Sequence, residues 1–246
     1  MSMRLVNLLA LAVIAILLSP VLVLIWHTSP HGLILSWHNP ATRRAMAISL
    51  QSGVVSLIAT AGLGIPVSVW MHRVKGHIAR TSVTLALTIP LLMPPLVLGL
   101  VLAYVLGPTT WTGQWIGATN TFTGLVIAQI YEAVPYFIFA YWGALQTIPI
   151  QRQEELSVLG KNDWQIFWYA VWPASRSGLM VAASMAWARI VGAFGAPLVV
   201  AYHPSSLPVA IWIRLEETGL PAALALATWL LIVTLPIPLA LRWKTR

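Results

Sequence analysis

The chain has 246 residues, of which 59% are hydrophobic and only 8% are charged, and its formal net charge is +8. A soluble domain is roughly a quarter charged, so six acids and fourteen bases cannot supply a water-facing surface for this chain. The bases lie beside apolar runs and form no patch with stacking groups, which indicates a lipid membrane as partner and excludes nucleic acid. The sequence has no cysteine, which excludes disulfides and cysteine nucleophiles.

Six segments are long and apolar enough to cross a membrane, which takes about 20 apolar residues for a hydrocarbon core of about 30 Å. They are residues 5–26, 45–70, 81–106, 122–145, 179–200 and 221–241. The first segment exceeds the apolar length of a signal peptide and lacks a small-residue cleavage pattern, so we expect a retained first helix. The sequence therefore predicts an all-α, multi-pass membrane protein with one transmembrane domain over residues 1–246, its core helices lying over about 45–241.

Positive charge predicts the orientation, because cytoplasmic loops carry an excess of Lys and Arg. One set of alternate loops holds ten bases, the other holds three, and the remaining base lies within a span. The ten are Arg4, Arg73, Lys75, Arg80, Arg152, Lys161, Arg176, Arg242, Lys244 and Arg246, and the three are Arg43, Arg44 and Arg214. Both termini are therefore predicted to be cytoplasmic.

The longest predicted cytoplasmic connection, residues 148–178, has the pattern helix, break, helix. Pro149 suits a first helical turn, and Glu154 and Glu155 lie close to the positive end of that helix dipole. Gly160 suits a C-terminal stop. These residues predict a short helix that ends in a glycine turn.

A second short helix is predicted to follow the break. Asn162 or Asp163 can cap its start, and it is expected to end before Pro173. Its residues are nearly all aromatic or aliphatic, so we expect it to lie against the membrane face or the helix bundle.

The residues of this loop resemble the EAA loop of ABC import permeases. Glu154, Glu155, Leu156, Gly160 and Pro173 fall at the family's spacing, although the family has alanines where this chain has Glu155 and Leu156. The resemblance implies a type I ABC importer permease whose coupling helix sits in a cleft of a cytoplasmic ATPase subunit. It implies Glu154 as the polar contact to that ATPase and Gly160 as the turn between the two short helices.

Two further segments carry a second resemblance. Residues 89–99, which include Pro94 and Pro95, and residues 188–196, which include Phe194 and Gly195, are similar to the paired signatures of molybdate and sulfate import permeases. Those permeases usually have Glu where this chain has Ala193. The resemblance covers the chain from about residue 45 onward. It implies an oxyanion cargo such as molybdate, tungstate or sulfate, in the cytoplasmic membrane of a bacterium or archaeon. The implied partners are a second permease copy, identical or related, and an extracytoplasmic solute-binding protein.

Two ionisable residues, Glu132 and Arg189, lie inside predicted spans. A charged side chain at the centre of the bilayer has a high free-energy cost unless it is paired with an opposite charge or is in contact with water. Both residues are therefore functional candidates. Either they pair and hold the fourth and fifth spans in register, or they line the translocation pathway, where a cation would favour an anionic solute. The further pathway candidates are Pro94, Pro95, Phe194 and Gly195.

Other chemistry finds little support in the sequence. The six histidines fall in predicted loops, and no carboxylate joins His27 and His31, so no metal site is expected. The sequence has no glycine-rich phosphate loop and too few acids for catalysis, so we expect no cofactor, no enzymatic activity, and ATP hydrolysis by another chain. Two alternatives stay open: an ABC permease for another small solute, such as ferric ion or a polyamine, and an ion-coupled secondary transporter using Glu132 and Arg189.

Overall fold

The computed structural model describes residues 3–74, 76–149 and 151–243, and these residues form helices and no strand. In chain order the helices are α1 (Met3–His27), α2 (Pro30–His38), α3 (Pro40–Arg73), α4 (His77–Leu92), α5 (Pro95–Val105), α6 (Trp111–Ile116), α7 (Phe122–Leu145), α8 (Gln151–Val158), α9 (Asp163–Ile166), α10 (Trp172–Val191), α11 (Gly195–Val200), α12 (Leu207–Thr218), α13 (Leu220–Thr234) and α14 (Pro236–Trp243). A π-helical segment, Phe167–Val171, joins α9 to α10.

Among the described residues, four helical segments are long and apolar enough to cross a membrane: α1, α3, α7 and Leu220–Ala240, which runs from α13 into α14. A fifth results if α4 and α5 are taken together. Six spans were predicted, and the difference lies in α10, which takes the place of the predicted fifth span. α10 contains Arg176 and Arg189, and it is not among the helices that are long and apolar enough to cross a membrane.

The predicted span 81–106 is not one helix. α4 ends at Leu92, α5 begins at Pro95, and the backbone of Met93 and Pro94 between them is extended. Neither proline has an N–H to donate, and a proline disfavours helical conformation in the residue before it. The double proline therefore bends the chain by 102° between α4 and α5.

The predicted span 179–200 also differs from the structure. α10 ends at Val191, and a turn leads into the separate short helix α11. Both Ala193 in this turn and Gly195 at the start of α11 are buried. The chain therefore turns back inside the protein instead of continuing as one helix.

The prediction that the second loop helix ends before Pro173 is wrong, because α9, the π-helical segment and α10 form a continuous helix. At the end of the π-helical segment, the N–H of Trp172 bonds to the carbonyl of Phe167, one residue further back than in an α-helix. A proline ring clashes with the carbonyl one turn back in a regular α-helix, and the wider turn relieves that clash.

Helices α3, α7 and α10 form the centre of the bundle. The face of α3 that packs in this centre consists of small residues, which let neighbouring helices approach closely. Between residues 49 and 68, the buried residues of α3 are Ser49, Ser52, Gly53, Ser56, Thr60, Gly64 and Ser68. Trp187 of α10 packs over Gly53, and its ring N–H donates to the carbonyl of Thr234 at 3.0 Å.

The first helix, α1, lies outside this centre and has no buried residue. It is held at its C-terminal end, where the hydroxyls of Thr28 and Thr228 lie 2.8 Å apart. Helices α2, α6 and α12 lie in segments that were predicted to be loops.

Candidate functional site

The EAA-like loop, residues 148–178, contains a sharp turn after α8. The N–H of Lys161 donates to the carbonyl of Leu156 at 3.0 Å, and the N–H of Gly160 donates to the carbonyl of Ser157 at 3.0 Å. This pair of bonds is the Schellman motif, which needs a residue in the left-handed conformation. Gly160 has φ of +75°, so the prediction that Gly160 ends the first helix is confirmed.

The second helix of the loop begins with a capping box. The side-chain oxygen of Asn162 accepts a bond from the Gln165 N–H at 2.9 Å, and the Gln165 side chain accepts one from the Asn162 N–H at 3.1 Å. Asn162 is therefore the cap, and Asp163 is the first residue of α9. The Asp163 carboxylate is left available for a contact outside its own helix.

Two polar contacts tie the EAA-like loop to the C-terminal end of α3. Arg73 donates to the Asp163 carbonyl at 2.8 Å, and its guanidinium lies 3.7 Å from the Asp163 carboxylate. The side-chain nitrogens of Gln153 and His72 lie 3.2 Å apart. The prediction that all six histidines lie in loops is wrong for five of them, because His72 belongs to the last turn of α3 and four others also lie in helices: His27, His31, His38 and His77. Because one contact reaches each helix of the loop, α3 is connected to both.

Apolar packing holds the other side of the EAA-like loop against the bundle, as predicted. Phe167 and Val171 are buried in one cluster with Tyr141 and Leu145 of α7. The hydroxyl of Tyr141 also lies 2.9 Å from that of Ser175. A movement of the loop would therefore reach α7 directly.

The outward face of α8 is exposed and partly apolar. Glu154 and Glu155 are exposed, and Val158 and Leu159 next to them are 88% and 72% exposed. Glu155 lines a cleft of about 420 Å³ together with Leu156 and Pro173, whereas Glu154 faces a different cleft, beside His72 and Arg80. Three of the predicted loop residues, Glu154, Glu155 and Leu156, thus lie on one short helix with two clefts beside it, whereas Gly160 lies in the turn after that helix and Pro173 on α10.

Inside the bundle, Glu132 of α7 and Arg189 of α10 form an ion pair. The guanidinium lies 2.8 Å from the carboxylate, and the side chains are 1% exposed for Glu132 and 30% exposed for Arg189. The guanidinium also lies 5.6 Å from the ring centre of Tyr136. This contact is the pairing that was one of the two predicted alternatives, and it leaves the cation as the more accessible partner.

The two signature segments cross close to this pair. A Cβ on Gly195 would lie 2.8 Å from the backbone nitrogen of Leu96, and a Cβ on Gly99 would lie 2.8 Å from Cα of Ala196. Only glycine permits such close contact between two backbones. The amide of Ala196 lies beside the Glu132 carboxylate, so the crossing adjoins the ion pair.

Three of the predicted pathway residues lie in or beside this region. Pro94 is exposed at the bend between α4 and α5, and its neighbour Pro95 packs against Gly195. Phe194 contacts Trp212 of α12, with ring centres 5.7 Å apart.

Gln129 is a residue of this region that the sequence analysis missed. It is 2% exposed, accepts a bond from the Ser56 hydroxyl at 2.8 Å and donates to the Ile190 carbonyl at 3.4 Å. It therefore links α7 to both α3 and α10. An amide in an apolar span, one helical turn before Glu132, was the signal that could have identified it.

The helical bundle, with four or five segments long and apolar enough to cross a membrane among the described residues, defines the class of protein, a multi-pass membrane protein. Residues 64–243 match the family of binding-protein-dependent transport system inner membrane components, and the chain belongs to this family. It is the permease subunit of an ABC importer.

Relatives and solved structures agree with that assignment. The chain is 29% identical over 212 residues to a probable molybdenum ABC transporter permease protein of Haloferax volcanii, covering 85% of this chain and 78% of the relative. It is 30% identical over 152 residues to the sulfate transport system permease protein CysW of a Synechocystis strain, covering 56% and 55%. The structure of a bacterial alginate ABC transporter in complex with its periplasmic protein superimposes with a TM-score of 0.77 at 16% identity, over 99% and 94% of the chains. The last comparison shows the fold alone.

Proposed function

We propose that this permease subunit carries an oxyanion such as molybdate, tungstate or sulfate, and that α8 is the segment on which a partner ATPase acts. The observation that supports the role of α8 as the ATPase-coupling segment is its exposed surface. Its acids, Glu154 and Glu155, and its aliphatic residues, Val158 and Leu159, lie on a loop that is itself fixed to the bundle. Exposed apolar side chains beside acidic ones on a short helix are typical of a surface that binds a protein partner.

A movement of α8 has two routes into the membrane region. One runs through the Arg73 and His72 contacts to α3, and the other runs through Phe167 and Tyr141 to α7. Both routes lead toward the Glu132–Arg189 pair, because α7 carries Glu132 and Gln129 joins α7 to α3. ATP is bound and hydrolysed on the ATPase, and this chain supplies the pathway.

Two observations support an oxyanion as cargo. The relatives with broad or partial similarity are named for molybdenum and sulfate transport. In addition, the internal ion pair exposes its cation, Arg189, and buries its acid, Glu132, and a cation beside a pathway attracts an anionic solute.

The assembly that follows has two permease copies, ATPase subunits on the cytoplasmic side and a solute-binding protein on the opposite side of a cytoplasmic membrane. The ten bases predicted on the side of the EAA-like loop, against three on the other side, support cytoplasmic termini. Accessibility labelling of cysteines introduced at exposed positions, such as Val158 and Trp111, tests this orientation in intact cells.

The decisive experiment changes the α8 surface in the complete transporter. Glu154→Ala and Gly160→Val are each expected to lower ATP-dependent uptake by about tenfold or more. An interface hot spot contributes about 2 kcal/mol or more, and valine is strained at the φ of +75° that Gly160 adopts in the turn. Glu216→Ala is the matched control, since Glu216 is an exposed acid on α12. Copurification of the ATPase is measured alongside uptake of molybdate, sulfate and ferric ion. ATPase association and uptake that survive both changes would show that α8 is not the coupling segment.

A further inference from the structure

A cavity of about 300 Å³ lies at the end of α3 that is opposite the EAA-like loop. Its walls come from α2, the first turn of α3, the last turn of α12 and the first turn of α13. Neither Glu132 nor Arg189 lines it. It is therefore separate from the intramembrane site.

Arg214 supplies the charge of this cavity. Among the described residues, no carboxylate lies within 4.0 Å of its guanidinium, whereas Arg73 and Arg189 each have an acid within that distance. Glu216 and Glu217 follow Arg214 in sequence, but both are exposed and neither lines the cavity. The cavity therefore has a cation on its wall and no opposing anion.

Thr42 supplies an unused hydrogen-bond donor. It is 2% exposed, and its hydroxyl has no partner among the described residues. Thr84 and Thr228, which lie within helices, donate to the carbonyl one turn back. Thr42 lies in the first turn of α3, after the cap Asn39, so the residue one turn back precedes the helix. A buried hydroxyl without a partner is unfavourable, which points to a ligand that accepts its proton.

Two helices, α3 and α13, also begin at this cavity. Asn39 and Thr42 of the first and Pro221 and Ala222 of the second line its wall. No side chain caps the start of α13. Both helix dipoles place their positive ends beside Arg214, and such ends favour anions.

We propose that this cavity binds a tetrahedral oxyanion, with Arg214 as the charge partner and Thr42 as a hydrogen-bond donor. The oxyanion is either a free anion of the class proposed as cargo or the phosphate of a lipid headgroup. The anion site rests on the proposed function in one respect, which is that the proposed orientation places this end of the bundle on the extracytoplasmic side. There the cavity would hold an anion outside the translocation pathway.

The test measures anion binding by the purified chain alone, without ATPase or solute-binding protein. The unfolding midpoint in detergent is followed against sulfate and molybdate concentration, with chloride at matched ionic strength as the reference. Arg214→Gln is expected to weaken the apparent affinity by about 10-fold or more, since a hydrogen bond to a charged group is stronger than a neutral one. Thr42→Val, which keeps the shape of the side chain, is expected to weaken it by about 3-fold.

Arg44→Gln is the matched control, because Arg44 is an exposed base near the start of α3 that does not line the cavity. It is expected to leave the affinity unchanged. If Arg214→Gln does not fold, Arg214→Lys and Thr42→Val provide the same comparison.

A second arm distinguishes the two sources of the oxyanion. Nanodiscs of phosphatidylglycerol and of phosphatidylcholine replace the free anion, and bound lipid is counted by native mass spectrometry. If free sulfate or molybdate raises the unfolding midpoint and both variants weaken this effect, the site binds a free anion. Lipid retention that both variants reduce supports a headgroup site. The proposal is overturned if neither ligand binds the wild-type chain or if the variants bind as it does. Because the ATPase is absent, failure here leaves the role of α8 unaffected.

Discussion

Two arginines of this permease each meet one acid, and the surroundings of the two contacts differ. Arg189 and Glu132 lie 2.8 Å apart, with the acid 1% exposed, whereas Arg73 and Asp163 lie 3.7 Å apart, with the acid 88% exposed. Breaking a buried pair leaves a charge without water or partner, whereas an exposed acid returns to water. The same two residue types therefore make a firm contact in the membrane region and a weak one between the EAA-like loop and α3.

The packing around each contact follows the same division. The membrane region is closed by backbone contacts at Gly99 and Gly195, which leave no space for a side chain. The EAA-like loop presents exposed apolar residues and is held to α3 by long polar side chains. A segment that has to move with a partner requires such low local stability, and a pathway wall requires the opposite.

The strongest test of this comparison removes the cation of the buried pair. Arg189→Met keeps most of the side-chain volume and leaves Glu132 without its partner. The expected loss of unfolding free energy is about 3–5 kcal/mol, measured by detergent-induced unfolding of the purified chain. The double variant with Glu132→Gln is expected to recover part of that loss.

Arg176→Met is the control for Arg189→Met, because Arg176 is an exposed base on the same helix. Its expected effect is small. Equal losses for the two variants would show that the Glu132–Arg189 pair contributes no more than a surface charge.

A smaller effect is expected at the crossing of the two signature segments. Gly99→Ala would place a Cβ 2.8 Å from Cα of Ala196, and overpacking of this kind costs about 1–3 kcal/mol. Gly62→Ala is the matched control, because a Cβ at Gly62 would meet nothing within 4 Å. That control is expected to stabilise α3 by about 0.5–1 kcal/mol. If Gly99→Ala left the free energy of unfolding unchanged, α5 and α11 would have to move apart easily.

Local sequence signals predicted those parts of the fold that local physics decides. The predicted span 122–145 coincides with Phe122–Leu145, because a long apolar run is sufficient to define a membrane helix. The glycine stop at Gly160 was predicted because glycine is the residue that most often adopts the left-handed conformation at a helix end. Family membership was also predictable, since the EAA-like spacing lies within one short segment.

Features that depend on distant contacts were not predictable in the same way. The third span was predicted as one segment over residues 81–106, whereas the chain bends by 102° at the double proline and α5 packs on the distant helix α11. Pro173 indicated a helix end, but the π-helical segment lets the helix continue through it. Gln129 was missed because its partners, Ser56 and Ile190, are more than sixty residues away.

The weakest effect is expected at the exposed contact, and it separates charge from hydrogen bonding. Asp163→Asn removes the carboxylate charge but keeps the backbone carbonyl that accepts the Arg73 bond at 2.8 Å. The expected change in unfolding free energy is at most about 1 kcal/mol, because one partner is exposed and its charge is screened by water and salt. Arg73→Met, which removes both interactions, is the comparison. It is expected to lower ATP-dependent uptake clearly while changing the unfolding free energy only slightly. A loss for Asp163→Asn as large as that for Arg189→Met would contradict the division between a firm membrane region and a weakly held loop.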